Sequence, residues 1–306
     1  MSDSAETTVV TAADANYAWG VLLLAASMRL YGMRQPLLVG AVDWPERLRK
    51  RAEAVGGVTL VDLPADRRTV ACQKPVMMTH PAVTTPWVSW ADCDGTFVGD
   101  CTDLMLPRSE DEILIRKYSP PPPDLTPETL ETWRRDVGER DTPRLDTRVN
   151  TAFISIHRKQ APFLLRWQRQ MEKVLPFDVG IVMKRLSPYF QTDESVLGSL
   201  LSFAECAPVV VGSYTMNGSV DRTRYFAHYA YNPKPWQMWN AHCLRWHGEV
   251  MKVTDWLLAR GIVGPGDLPF ALRDSHARIH RLLAPAAPQV WRIKKRLRRW
   301  REGGRA

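Results

Sequence analysis

The chain has 306 residues, 45% hydrophobic and 24% charged, values of an ordinary globular protein that exclude a disordered or low-complexity one. Nearly all of its formal charge of +8 sits in residues 289–306, where eight Lys or Arg stand against one acid, Glu302, so a nucleic-acid-binding body is not indicated. No apolar stretch approaches the roughly 18 to 20 residues of a membrane span.

The polar, acidic start, Met1 to Thr8, lacks the basic-then-apolar order of a signal peptide. The five cysteines (Cys72, Cys93, Cys101, Cys206, Cys243) are scattered and form no C-x-x-C pair. A cytoplasmic protein with reduced thiols is expected. Thr8 to Ala13 reads as a strand, and Ala18 to Leu30 as a helix stopping at Gly32. Pro36 to Val42 is a second apolar run. Trp44 to Ala54 is an amphipathic helix ended by Gly56-Gly57, and Val58 to Leu63 is a third run. This β-α-β-α-β order predicts an α/β fold, a parallel sheet with helices on its faces. Trp87 to Ala91 is a fourth strand and runs directly into Asp92-Cys93-Asp94-Gly95.

Residues 107–148 are charged and proline-rich, with four prolines after Ser119, and are expected as a loop insertion over the sheet edge. Within them Thr126-Pro127-Glu128 starts a short helix, capped by Thr126. Order resumes at Arg148 to His157, a strand. A helix over Pro162 to Leu175 carries Phe163, Trp167, Met171 and Val174 on its apolar face. Thr192 is expected to cap a helix reaching about Ala204, Pro208 to Val211 is a strand, and 242–260 an amphipathic helix. The domain reading is a catalytic domain over 1–240, a helical region over 241–288 and a basic amphipathic tail over 289–306.

Three segments carry candidate chemistry. Asp92 and Asp94, spaced i, i+2 after a buried strand, can both face one cation at the strand's carboxyl end, where open α/β sheets bind ligands. Hard oxygen ligands suit Mg²⁺ or Mn²⁺; the competing reading is a surface turn. His228-Tyr-Ala-Tyr-Asn-Pro-Lys-Pro-Trp236 offers an imidazole for Mn²⁺ and a cation, Lys234, for a phosphate. Its competing reading is a proline-rich turn with a core histidine. At the end of the first strand, Asp14 and Asn16 could hydrogen-bond a base or ribose and Tyr17 could stack; the alternative is a helix cap.

Together, and in this order, the segments resemble glycosyltransferase family 8, the retaining enzymes of the GT-A fold. Ala12-Ala13-Asp14 with Asn16 and Tyr17 is similar to the family's A-A-D-x-N-Y. Asp92 and Asp94 match its D-x-D. His228, Lys234, Pro235 and Trp236 match H-x-x-G-x-x-K-P-W. Asn150-Thr-Ala resembles N-x-G, Asp193-Glu194 resembles the D-Q pair, and Gln73-Lys74-Pro75 resembles the basic segment before D-x-D. Three positions depart from the pattern: Tyr231 and Ala152 replace glycines, and Glu194 replaces glutamine.

The resemblance implies a Rossmann-like GT-A fold with a basic helical tail, and transfer of a hexose from a UDP-sugar to an unidentified acceptor with retention. It implies that Ala13, Asp14, Asn16 and Tyr17 hold uridine. Asp92, Asp94 and His228 then hold Mn²⁺ or Mg²⁺ on the diphosphate, and Lys74 and Lys234 contribute charge. Asn150 and Asp193 position the sugar, while Trp236 floors the acceptor site or packs in the core. Glu194, a carboxylate where the family has an amide, could stabilise an oxocarbenium-like centre or attack it. Asp193 and Glu194 also suit the first turn of a helix on structural grounds alone. The other readings are a degenerate GT-A domain that binds without turnover and a nucleotidyltransferase; the absence of a glycine-rich signature at the first strand argues against the latter. In the tail, Val290, Ile293, Leu297 and Trp300 form one apolar stripe among Lys and Arg, a helix suited to an anionic membrane surface, with nucleic acid or solvent as rivals.

Overall fold

The computed structural model describes residues 6–65, 68–118, 125–145, 147–177, 187–212 and 225–303. The proline run after Ser119 lies outside them. The sheet has seven strands in the order β3-β2-β1-β4-β7-β6-β8: β1 Thr7–Asp14, β2 Leu37–Val42, β3 Val58–Asp62, β4 Trp87–Ala91, β6 Glu112–Lys117, β7 Val149–His157 and β8 Val209–Val211. Only β7 runs against the rest; β1 pairs parallel with both β2 and β4.

β1 is buried on both faces, as a central strand of a parallel sheet must be. Its alternate residues divide between two cores: Val9 and Ala13 face one, Val10 and Ala12 the other. The first core is closed by α1 (Ala18–Leu30), α2 (Glu46–Ala54) and α7 (His247–Ala259). The second is closed by α3 (Lys74–Met78), α4 (Pro127–Val137), α5 (Ala161–Val174) and α6 (Asp193–Phe203). Trp239 and Trp246, like α7, pack into the first core beside α1, so this part of the 241–288 region shares the sheet's own core.

The stretch 107–148, expected as a loop, contributes β6 to the sheet and α4 to the second core, with Trp133 fully buried. α4 begins as expected, Thr126 Oγ1 accepting from the N–H of Thr129 at 3.2 Å, and ends on Gly138 at φ +76°. Thr192 does not cap α6. It stands at φ 46° with no capping hydrogen bond, a conformation β-branched residues rarely adopt, and its hydroxyl donates to Asp193 Oδ1 at 3.1 Å instead. Residues 242–260 divide into a 3-10 turn, Cys243–Trp246, and α7.

Two further elements matter below. A ribbon of β5 (Gly95–Phe97) and β9 (Phe226–His228) sets Gly95 opposite His228. The chain ends in α8 (Ala277–Leu283), whose His280 is buried against Phe270, and α9 (Ala287–Gly303). Val290, Ile293 and Leu297 on α9 and Ile279, Leu282 and Leu283 on α8 are exposed.

Candidate active site

β1 and β4 leave the sheet side by side, and the helices that follow β1 and precede β4 lie on opposite faces. Such a switch point opens a crevice at the carboxyl ends of the strands. A cavity of about 520 Å³ occurs there, lined by Ala13, Asp14, Tyr17, Asp43, Asp92 and Asp94 among others.

Asp92 and Asp94 are drawn together with His228 by two local devices. The N–H of Gly95 returns to the Asp92 carbonyl at 3.1 Å, a tight turn into β5. Gly95 is required in it, because a Cβ would lie 2.3 Å from the Phe226 ring. The β5–β9 ribbon then delivers His228, and one ligand atom from each of the three residues falls within 4.8 Å of the others. The atoms divide sharply in their partners. Asp92 Oδ1 accepts from the Trp90 indole at 2.6 Å and pairs with Lys74 at 3.0 Å; Asp94 Oδ2 pairs with Lys234 at 2.5 Å. The opposite oxygens, Asp92 Oδ2 and Asp94 Oδ1, face His228 Nε2 at 3.6 and 3.2 Å. Two carboxylate oxygens and an imidazole nitrogen thus converge on one point while the remaining arms are tied back, which is the donor set of a Mn²⁺ or Mg²⁺ site. Burial alone would raise the Asp94 carboxyl, but Lys234 and His228 outweigh it and hold it well below the usual carboxylate range.

Lys74 joins this group to a second. Its ammonium, 2% exposed as a residue, also pairs with Asp193 at 3.0 Å and donates to the Thr151 carbonyl and hydroxyl at 3.0 and 2.9 Å. Burial would lower its pKa, but Asp193 and Asp92 raise it above the usual lysine value, so it stays charged. Glu194 Oε2 accepts from Asn150 Nδ2 at 3.1 Å and from the Thr151 N–H at 3.2 Å. Asn150 Nδ2 also donates to the Tyr118 hydroxyl at 3.0 Å. Glu194 is pushed up to about 8 by burial first and by Asp193 next, against the Thr151 N–H, Lys74 and Arg148.

The residues expected at the base are placed less uniformly. Asp14 Oδ1 accepts the N–H groups of Asn16 and Tyr17 at 2.9 and 3.1 Å, so the helix-cap reading accounts for one of its oxygens. Tyr17 lines the cavity and its hydroxyl donates to Asn232 Oδ1 at 3.4 Å. Asn16 is exposed, and its carbonyl accepts the Trp236 indole N–H at 3.0 Å. Trp236 is buried, edge-on to Tyr17, with its ring over Gly20. It is not an open floor for an acceptor. Lys234, 3% exposed, also donates to the Tyr229 carbonyl at 2.6 Å.

Sequence reasoning passes over Trp90, Thr151, Tyr118 and Asp43. Trp90 was legible in principle: two residues before Asp92 on a strand, it shares that residue's face. Thr151 sits beside Asn150 in the same motif. Tyr118 closes β6 and was hidden by the loop assignment. Asp43, at φ 53° just after β2, is brought to the cavity only by the register of β2 on β1.

No family model matches the chain, and no curated protein matches it. Solved structures do. The bifunctional glycosyltransferase WbbM in its apo form aligns at TM-score 0.55 and 12% identity over 86% of this chain, which spans about half (52%) of that protein. The galactosyltransferase LgtC, solved in complex with donor and acceptor sugar analogs, aligns at 0.50 and 16% over 84% of this chain and 100% of its own. Apo GlyE of Streptococcus pneumoniae TIGR4, a glycosyltransferase, aligns at 0.52 and 13% over 84% of this chain and 64% of its own. LgtC is also known as an active-site glutamine-to-glutamate mutant, similar at 15% identity. At these identities the likeness is one of architecture, and it agrees with the strand order and the crevice: the chain has the GT-A fold of these glycosyltransferases.

Proposed function

We propose that this protein is a metal-dependent glycosyltransferase that moves a hexose from a UDP-sugar to an acceptor with retention at the anomeric carbon. The observation that carries the reading is the convergence of Asp92 Oδ2, Asp94 Oδ1 and His228 Nε2 at the rim of the switch-point cavity. A divalent ion bound there supplies charge neutralisation for a diphosphate and its departure. The protein's own groups do the rest. Tyr17 and the Ala13–Asp14 strand end would hold the uridine in the cavity. Lys234, paired with Asp94 Oδ2 beside the site, would add a cation to the surroundings of the diphosphate. Asn150, Asp193 and Glu194, one lysine away from the metal ligands, would hold the sugar hydroxyls and fix the anomeric carbon beside the leaving oxygen. The likeness to LgtC, solved with donor and acceptor sugar analogs, supports a donor and an acceptor side to the crevice.

The acceptor side extends to a membrane in this reading. α9 carries Arg292, Lys294 and Arg296 around exposed Val290, Ile293 and Leu297, and α8 adds an exposed Leu282. Such a helix pair would lie on an anionic surface at the cytoplasmic face and bring the crevice to an acceptor held there.

The test is a screen of UDP-sugars for UDP release with and without Mn²⁺, then an acceptor screen with the best donor. Metal-dependent UDP release supports the reading. Pyrophosphate release would mean a nucleotidyltransferase, and binding without release a domain that has lost turnover. The anomeric proton coupling of the product decides retention, a β product from an α donor excluding it. Liposome sedimentation of the full chain against one ending at Pro288 tests the tail; equal binding to anionic vesicles excludes its role.

A further inference from the structure

Glu194 is held in a manner foreign to an ionised carboxylate. Its Oε2 accepts from the Asn150 amide and the Thr151 N–H, the Tyr118 hydroxyl lies beside the same carboxyl, and Oε1 is buried with no hydrogen-bond partner among the described residues. No described residue forms an ion pair with it. The cations nearby are committed elsewhere: Lys74, on α3, to Asp92 and Asp193; Arg148, before β7, to the Ser195 hydroxyl at 3.2 Å and the face of Trp133. The other charged or titratable groups that face Glu194 are Asp193, its neighbour on α6, and the Tyr118 hydroxyl at the end of β6. The first stands beside Glu194 and makes a charge there more costly. The phenol is itself raised, by burial above all, so it remains protonated.

An ionised carboxylate offers acceptors on both oxygens and no donor. A neutral carboxylic acid offers one carbonyl oxygen that accepts twice and one O–H that donates, which is the inventory of a glutamine side chain with one fewer proton. Two donors on Oε2 and none on Oε1 match the second inventory. We infer that Glu194 is a neutral carboxylic acid in the free protein, its Oε2 fixed by Asn150 and Thr151, and that it acts beside the sugar as a neutral positioning group. The upward displacement to about 8 agrees with this geometry. The role of the proton rests on the sugar-transfer reading; the protonation state does not. A neutral acid is a poor nucleophile, so Glu194 positions the sugar and does not attack it. The expectation of attack by a carboxylate at this place is revised accordingly.

The two parts are tested separately. Infrared difference spectra of the full chain, wild type minus Glu194→Gln, are recorded at about pH 6 and about pH 10, on either side of the position given by burial. The expected result is a carboxylic-acid carbonyl band at the lower pH replaced by the carboxylate pair at the higher. Carboxylate bands at both would overturn the protonation state, whether or not the protein turns over any donor. With the donor found in the screen, wild-type kcat/KM should fall as pH rises through about 8, the proton being lost. Glu194→Gln, which keeps a donor arm, should retain at least about a tenth of the activity and lose that fall, while Glu194→Ala drops roughly 100-fold. A Glu194→Gln profile that still falls would overturn the role given to the Glu194 proton. Wild type with an acid band and no UDP-sugar turnover would overturn the sugar-transfer reading alone.

Discussion

Replacing Asp94 by Ala removes a proposed metal ligand and also strands a cation. Taken from sequence, Asp94 is an exposed carboxylate whose loss costs within about 0.5 kcal/mol. In the structure its side chain is 15% exposed and its partner Lys234 4%, and the two are in contact. Truncating one member of a buried pair leaves the other charge uncompensated, typically at a cost of about 3 to 5 kcal/mol. Lys234 keeps the Tyr229 carbonyl, which places Asp94→Ala at the lower end, about 3 kcal/mol. In a chain of 306 residues that is a fall of roughly 5 °C in thermal midpoint. The assay is urea denaturation in chelator, so that the metal contributes nothing, of Asp94→Ala, Lys234→Met and the double variant. The double variant should be more stable than the sum of the single losses, the excess being the coupling. A single Asp94→Ala that unfolds within about 0.5 kcal/mol of wild type would refute the argument that Lys234 depends on Asp94. Asp94→Asn, which keeps an acceptor for Lys234, is the cleaner variant for testing metal dependence.

Three other outcomes are expected. Glu194 has a folded value raised to about 8 from about 4.5, so the stability it contributes is complete below about pH 4.5 and is lost as pH rises through about 8. Glu194→Gln should therefore flatten this part of the stability profile, measured by denaturant titration, and a wild-type difference that is constant across the window would contradict it. Gly20→Ala places a Cβ 2.2 Å from the Cys93 carbonyl and 2.5 Å from the Trp236 ring, so about 1 to 3 kcal/mol of stability and the donor site beside Tyr17 should be lost together; an unshifted melting curve would show that Trp236 is free to move. Ending the chain at Pro288 removes most of α9, whose apolar residues are exposed, and should leave the thermal midpoint unchanged; a fall of several degrees would mean that α9 packs on the body.

The elements with strong local patterns were legible. β1, α1, β2, β3 and β4 lie within a residue or two of where apolar runs, Gly32 and Gly56-Gly57 put them, and α2 begins two residues later than expected. β6 was not legible, because Glu112–Lys117 mixes charge with three apolar residues and its place is fixed by pairing with β7, far along the chain. The same holds within the site. Asp92 and Asp94 declare themselves by spacing, but His228 reaches them through strands of three residues each, too short for any periodicity to register. Lys74 could be named from its motif, yet its bridging of Asp92 and Asp193 depends on α3 docking between β1 and α5. The helix-start acids Asp193 and Glu194 suited a dipole argument equally well; only burial and the strained Thr192 before them set them apart.

The short β5–β9 ladder has a topological consequence for how the protein comes apart. It joins the chain just after Asp94 to the chain at His228, so the 133 residues between them are looped between two proposed ligands of one ion. A cation seated there would act as a removable cross-link, withholding from the opened chain a loop-closure entropy of about 5 kcal/mol. The looped segment contains β6, β7, α4, α5, α6 and β8, the whole right-hand half of the sheet. Chelation would then loosen that half in preference to the β1–β3 half, and limited proteolysis with and without Mn²⁺ should show protection that reaches well beyond the residues touching the ion.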